Sequence, residues 1–308
     1  MTGFSEIMEV EKALREISID NCEKIGEGFF GNIYRINEDT IVKVFKVPNS
    51  LDLIKKEREL SKKAFVLGIP TAIPYDIVKV GDYNGAIFEL LNAKSAVELI
   101  NTEEELDNFA KKSALVLKNM HSTEVTDEEI PSRKEAIIKL LKECEKCFSN
   151  EVFEKLESLL NTIPDRNTLL HCDFHVKNIM VQNDELLLID MDKLSVGHPI
   201  FEFGAMYATY CGYSCIDKYN TDKFLGIPLE KATQLFNKTF KYYHSNKSEN
   251  ELAEIIQKVA IISYIQILNL RKNYSEIDTI SNTIKEEIDF CINYLSKQAM
   301  ILETLHYD

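Results

Sequence analysis

The chain has no apolar stretch approaching the ~18 uncharged residues that a membrane-spanning helix needs. Its most apolar run, Val259 to Leu268, is short, is interrupted by Ser263 and Gln266, and reads as a buried helix. Basic residues are not in excess either. The 36 Lys and Arg against 50 Asp and Glu leave a formal net charge of −14, and such a surface repels a phosphate backbone, which argues against nucleic acid as a partner. The cysteines form no framework. There are seven, an odd number, and Cys144 and Cys147 make a single C-x-x-C with no second pair to complete a zinc site. Met1 to Glu6 shows neither the basic start nor the apolar segment of a secretory leader. Internal repeats and low-complexity segments are missing too. These absences imply reduced thiols, a cytoplasmic location and no membrane partner. What remains is an ordinary globular composition, 45% hydrophobic and 28% charged over 308 residues, long enough for two lobes.

The pattern changes character near residue 91. A short amphipathic helix is expected over residues 5–17. Strands are expected at Cys22 to Ile25, Asn32 to Ile36, Thr40 to Lys46, Ile77 to Val80 and Ala86 to Leu91, with one helix over 51–67. Helices then dominate, near 102–120, 133–148, 151–161, 229–244, 249–272 and 275–299. One β-hairpin interrupts them, Ile179 to Gln182 and Leu186 to Ile189, joined by Asn183-Asp184-Glu185. The expected fold class is α+β: a small antiparallel β-rich lobe over residues 1–91 and a large helical lobe over 92–308.

Three constellations carry chemistry. Gly26-Glu27-Gly28-Phe29-Phe30-Gly31-Asn32-Ile33 is a G-x-G-x-x-G string. Dinucleotide folds use the same string, but there a helix follows the third glycine, whereas here Asn32 to Ile36 reads as a strand. Strand, glycine turn and strand make a hairpin able to fold over phosphates. The second is Lys43 in Ile41-Val42-Lys43-Val44-Phe45. Alternation puts Lys43 on one face with Ile41 and Phe45, an expensive place for an ammonium unless an anion meets it. In the helix over 51–67, Glu57 falls on the inward stripe with Ile54, Ser61 and Ala64 and is the expected partner. Glu59, on the polar side, is the fallback.

The third is His171-Cys172-Asp173-Phe174-His175-Val176-Lys177-Asn178, then the hairpin, then Ile189-Asp190-Met191-Asp192. Phosphoryl transfer to a hydroxyl needs a carboxylate to orient the nucleophile and accept its proton, and oxygen ligands for Mg²⁺. Asp173 suits the first task, Asn178 and Asp190 the second, and a hairpin brings the ends of the 178–190 segment together. Asp192 suits a second metal ligand or an acceptor behind the first.

His171-x-Asp173-x₄-Asn178 followed by Ile189-Asp190 resembles the signature of the aminoglycoside phosphotransferase and choline kinase family, whose fold is protein-kinase-like. Gly197-His198-Pro199-Ile200-Phe201-Glu202 is similar to the G-D-P-x-x-D segment that follows there, with His198 and Glu202 as departures. The resemblance spans about residues 20–210. It implies an ATP or GTP site between lobes, contacted by Gly26, Gly28, Phe30, Gly31, Lys43 and Glu57. It implies adenine recognition by the main chain of Glu89 and Leu91. Asp173 becomes the catalytic base, Asn178 and Asp190 the Mg²⁺ ligands, Glu202 a brace of the catalytic loop and His171 a structural support.

Only Met191 to Val196 separate Asp190 from Gly197, and no Ala-Pro-Glu follows, so a peptide-docking platform has no room. The expected acceptor is a small-molecule hydroxyl on an amino sugar or amino alcohol. The acid-rich middle third is compatible with a cationic acceptor and equally with solvated helix faces. Asp217, Asp222, Glu230, Glu276 and Asp278 are candidate acceptor-pocket residues. An atypical protein kinase and a nucleotide-binding module without turnover are the alternatives.

Overall fold

Residues 14–28, 31–47, 50–126, 129–275 and 282–308 are described by a computed structural model. They fall into two compact units, one of residues up to 62 together with 72–91, the other of residues 63–71 and 92–308.

The first unit is built on strands β1 (Arg15–Glu16), β2 (Glu23–Glu27), β3 (Gly31–Arg35), β4 (Thr40–Phe45), β5 (Pro74–Val80) and β6 (Tyr83–Glu89), with helix α1 (Leu51–Val66) between β4 and β5. The sheet order is β1-β5-β6-β4-β3-β2. Strand alternation divides its side chains cleanly. Val42, Val44, Val78, Val80 and Ile87 form one apolar cluster, while Phe45 and Ala86 pack with Ile54 of α1 on the other face. Lys43 therefore points to the α1 side. The turn between β5 and β6 is Gly81-Asp82, with Gly81 at φ 56°.

One expectation is corrected here. Arg15–Glu16 is strand, pairing in parallel with Val78 and Lys79 of β5, so the amphipathic pattern over 5–17 does not make a helix at its end. The unsatisfied edge of β5 captures that segment, and the sheet is antiparallel except at this edge. The earlier part of that expected helix lies outside the described residues.

The second unit holds β7 (Lys94–Ser95), α2 (Glu103–Ser122), α3 (Arg133–Glu143), α4 (Asn150–Asn161), β8 (Leu169–Leu170), β9 (Ile179–Gln182), β10 (Glu185–Leu188), β11 (Ser195–Val196), α5 (Ile200–Tyr210), α6 (Asn220–Leu225), α7 (Leu229–Tyr243), α8 (Glu249–Ser275) and α9 (Asn282–Ala299). Helix α2 starts where Thr102 accepts the Glu105 N–H while Glu105 accepts from Thr102, a capping box. Its apolar face, Leu106, Phe109, Ala110, Leu117 and Met120, is buried.

The sequence reading misses α5 and α6 and runs α3 too far. Helix α3 ends at Glu143, and a 3₁₀ turn over Glu145–Cys147 follows. Helix α5 reads Ile-Phe-Glu-Phe-Gly-Ala-Met-Tyr-Ala-Thr-Tyr and is buried almost all round, so it lacks the polar face that makes a helix legible. Gly204 lets α8 approach, because a Cβ there would stand 2.7 Å from Ile262 Cβ. Among the described residues no helix is long and apolar enough to cross a membrane.

Candidate active site

In the first unit, Lys43 Nζ donates to Glu57 Oε1 at 2.8 Å, with both side chains largely shielded from water. Glu57 lies on the buried stripe with Ile54, Ser61 and Ala64, whereas Glu59 is exposed and pairs with Arg58. Nearby, Glu27 receives Lys24 at 2.7 Å and Lys46 at 2.5 Å, and those two contacts, Lys24 first, pull its carboxyl down to about 2. Gly28 donates its N–H to the Gly31 carbonyl at 2.8 Å, closing the turn between β2 and β3. Gly31 is sterically required, because a Cβ there would collide with the Val44 carbonyl across the β3–β4 pair. Gly26 packs on Ile33. Phe30 lies outside the described residues. Glu89 ends β6, its N–H bonded to the Ile73 carbonyl and its side chain to the Ile73 N–H. Leu91 follows outside any regular element.

In the second unit, residues 171–178 form a loop between β8 and β9. Its backbone conformation is unusual, with Cys172 at φ 61°, a left-handed value that costs a non-glycine residue ~1–3 kcal/mol. Glu202 of α5 holds it there. This buried carboxylate accepts the His171 N–H at 2.6 Å and the Cys172 N–H at 3.0 Å. Burial pushes the Glu202 carboxyl up, but the contact with His121 and the loop N–H groups outweigh it and hold it low. Tyr210, also of α5, offers its hydroxyl to the Val176 N–H at 2.9 Å. His171 Nδ1 accepts the Asp173 N–H and its Nε2 faces the Ile189 carbonyl at 3.2 Å. The ring thereby ties the loop to the residue before Asp190.

The β9–β10 hairpin joins the two acidic segments. Leu188 pairs with Ile179, and the Ile189 N–H reaches the Asn178 carbonyl at 2.9 Å. Asp190 follows at φ 66°, a second strained residue. Asn178 Nδ2 donates to the Asp173 carbonyl at 3.1 Å and to Asp173 Oδ2 at 3.0 Å. Its amide oxygen is thereby the atom turned away from Asp173. Lys193 Nζ donates to Asp173 Oδ1 at 2.9 Å. Burial raises the Asp173 carboxyl, yet the charge of Lys193 brings it below the usual carboxylate value. His175, 3.7 Å from Asp173 Oδ2, is held down at about 4 by burial and stays neutral.

Asp173, Asn178 and Asp190 thus belong to one hydrogen-bonded segment pair, and Lys43 and Glu57 to one ion pair. Sequence reasoning missed Lys193, whose signal is a base three residues after Asp190, and Tyr210, which no local pattern marks. Of the acceptor candidates, Asp217 is paired with Lys223 at 2.7 Å, and Glu276 and Asp278 lie outside the described residues.

Comparison with solved structures places the fold among aminoglycoside phosphotransferases, which makes it protein-kinase-like. The ADP-bound aminoglycoside phosphotransferase APH(2'')-Ib is 19% identical, with 93% of this chain and 95% of that one covered and a TM-score of 0.58. A thermostable mutant of APH(4)-Ia in its apo form is 12% identical, with 92% and 97% covered and a TM-score of 0.61. The streptomycin-ATP-APH(2'')-IIa ternary complex is 18% identical, with 90% and 93% covered and a TM-score of 0.56. No curated protein matches by sequence comparison. The model of the phosphotransferase enzyme family matches residues 21–217. The chain belongs to that family.

Proposed function

We propose that the chain moves the γ-phosphoryl group of ATP or GTP to a hydroxyl of a small molecule, with Asp173 as catalytic base. One observation carries this reading: Asp173 is paired with Lys193 and oriented by Asn178, on a loop that Glu202 holds in a strained shape. A carboxylate held below its ordinary pKa is a modest base, which suits a reaction whose transition state is loose and whose main demand is alignment. The acceptor hydroxyl attacks the γ-phosphorus, the bond to the β–γ bridging oxygen breaks, the hydroxyl proton passes to Asp173, and the nucleoside diphosphate leaves.

The residues present fit Mg²⁺, because Asn178 presents its amide oxygen and Asp190 a carboxylate, an all-oxygen donor set suited to a hard cation. When bound there, the ion would neutralise charge on the phosphates. Lys43, oriented by Glu57, would meet the α- and β-phosphates. The glycine turn at Gly26, Gly28 and Gly31 would cover them with backbone N–H groups, and the main chain of Glu89 and Leu91 would meet the base. The solved aminoglycoside kinases that share the fold, described with ADP or with ATP and streptomycin, support a nucleotide and a small-molecule acceptor. The six residues between Asp190 and Gly197 are taken up by a turn and by β11, which disfavours a peptide platform. A cytoplasmic enzyme without nucleic-acid or membrane partners fits the net charge and composition.

The test is Asp173→Asn, which should lower transfer by about 10³-fold while calorimetry shows nucleotide binding intact. Full turnover by that variant would remove Asp173 from the mechanism.

A further inference from the structure

The surroundings of Asp173 carry a charge pattern that suits one kind of acceptor and not another. His175 lies 3.7 Å from Asp173 Oδ2. The ring of Phe224, on α6, meets His175 edge-on with centroids 5.4 Å apart. Phe224 is 43% exposed, so a phenyl face stands in water one residue away from the carboxylate that orients the nucleophile. Lys177 Nζ sits over that ring at 5.7 Å, and it forms no ion pair with a carboxylate among the described residues. On the other side, Lys193 Nζ is 2.9 Å from Asp173 Oδ1 with 42% of its side chain exposed.

Two of the carboxylates in the second unit are already engaged. Asp217 holds Lys223 at 2.7 Å. Glu287 holds Arg271 through two contacts, at 2.6 and 3.1 Å. Arg271 in turn lies 5.0 Å over the ring of Tyr213. Lys177 is exposed and Lys193 is half-exposed beside Asp173. At Lys177 an incoming ammonium would meet a like charge, whereas an incoming carboxylate or phosphate would meet an unengaged donor.

We propose that Phe224, Lys177 and Lys193 form the acceptor subsite, and that it takes a hydroxyl compound bearing an anionic substituent rather than an amino sugar. The carbon face of the acceptor packs on Phe224, and its carboxylate or phosphate pairs with Lys177. This inference rests on Asp173 being the base, and it reverses the expectation of a cationic acceptor.

Four probes on one hexose frame test it: glucose, glucuronate, glucose 6-phosphate and glucosamine. Each is titrated into the full chain loaded with a non-hydrolysable ATP analogue and Mg²⁺, and nucleotide binding is measured separately. The two anionic probes should bind on the order of tenfold more tightly than glucose, and glucosamine more weakly than glucose. Their relative affinities distinguish a carboxylate from a phosphate preference. Lys177→Glu should reverse the order, and Phe224→Ala should weaken all four. A chain that binds no nucleotide sinks the phosphotransferase reading and this one with it. A chain that binds nucleotide but prefers glucosamine, binds the four alike or binds none of them overturns the subsite alone. So does an order that Lys177→Glu leaves unchanged.

Discussion

Lys43 and Asp173 are both charged groups with an opposite charge within 3 Å, yet their supports differ in kind. Lys43 stands on β4, registered between β3 and β6, where Ile33 and Ala86 lie directly opposite. Regular strand geometry aims its side chain, and α1 delivers Glu57. Asp173 stands on a loop with no ladder of its own, between Cys172 at φ 61° and a 3₁₀ turn over Val176–Asn178. There a buried carboxylate on another element satisfies the backbone. A ladder spreads positioning over many weak contacts. An irregular loop concentrates it in a few polar anchors, each costly to remove.

Glu202→Ala should therefore show the largest stability effect, because it strands two buried N–H groups and releases a strained loop. A loss of about 3–5 kcal/mol in urea unfolding is expected; less than 1 kcal/mol would mean that the loop carries its own shape. Lys43→Met, which leaves the buried Glu57 carboxylate without its cation, should cost less than Glu202→Ala, about 1–3 kcal/mol, and lower kcat/KM for the nucleotide by about tenfold to a hundredfold, the value of a charge-assisted contact. If it unfolds the protein instead, the contrast between ladder and anchor fails. Within the glycine turn, Gly31→Ala should cost about 1–3 kcal/mol through its clash with the β4 backbone. Gly28→Ala, whose Cβ would find its nearest atom at 3.8 Å, should be tolerated in the same denaturation assay.

The smallest expected effects are on pH dependence. The Asp173 carboxyl is depressed below 3.8, so it remains ionised in the fold above that value and its contribution is lost as pH falls through the folded value. Lys193→Ala leaves burial less opposed, which should move the acid limb of kcat/KM to higher pH. An unmoved limb would mean that Lys193 does not set the charge state of Asp173. The buried histidines act in a higher window. His175 and His244 are held at about 4 and His198 at about 3, against an ordinary 6.5. The unfolded chain binds these protons first, so stability should decline as pH drops from about 6.5 toward 4.

Much of the site was legible because its chemistry is local in sequence. The string from His171 to Asn178 and the short hairpin to Asp190 bring the oxygen groups together over few residues. Alternation on one strand placed Lys43, and helical periodicity separated Glu57 from Glu59. Lys193, Tyr210 and Phe224 were not legible, since a lysine after a turn or a tyrosine ending an apolar helix has no distinctive spacing. Each acquires meaning only from the group it meets.

The sequence by itself determined the succession of a β-rich and a helical part, the α+β class and the identity of the oxygen-bearing residues, because hydrophobic period and short motifs are properties of neighbours along the chain. Tertiary structure alone decided that Arg15–Glu16 would be strand, that Glu202 would clamp residues 171 and 172, and that Lys193 would pair with Asp173. Those outcomes depend on distances between residues far apart in the chain, and burial decides how strongly such groups feel one another.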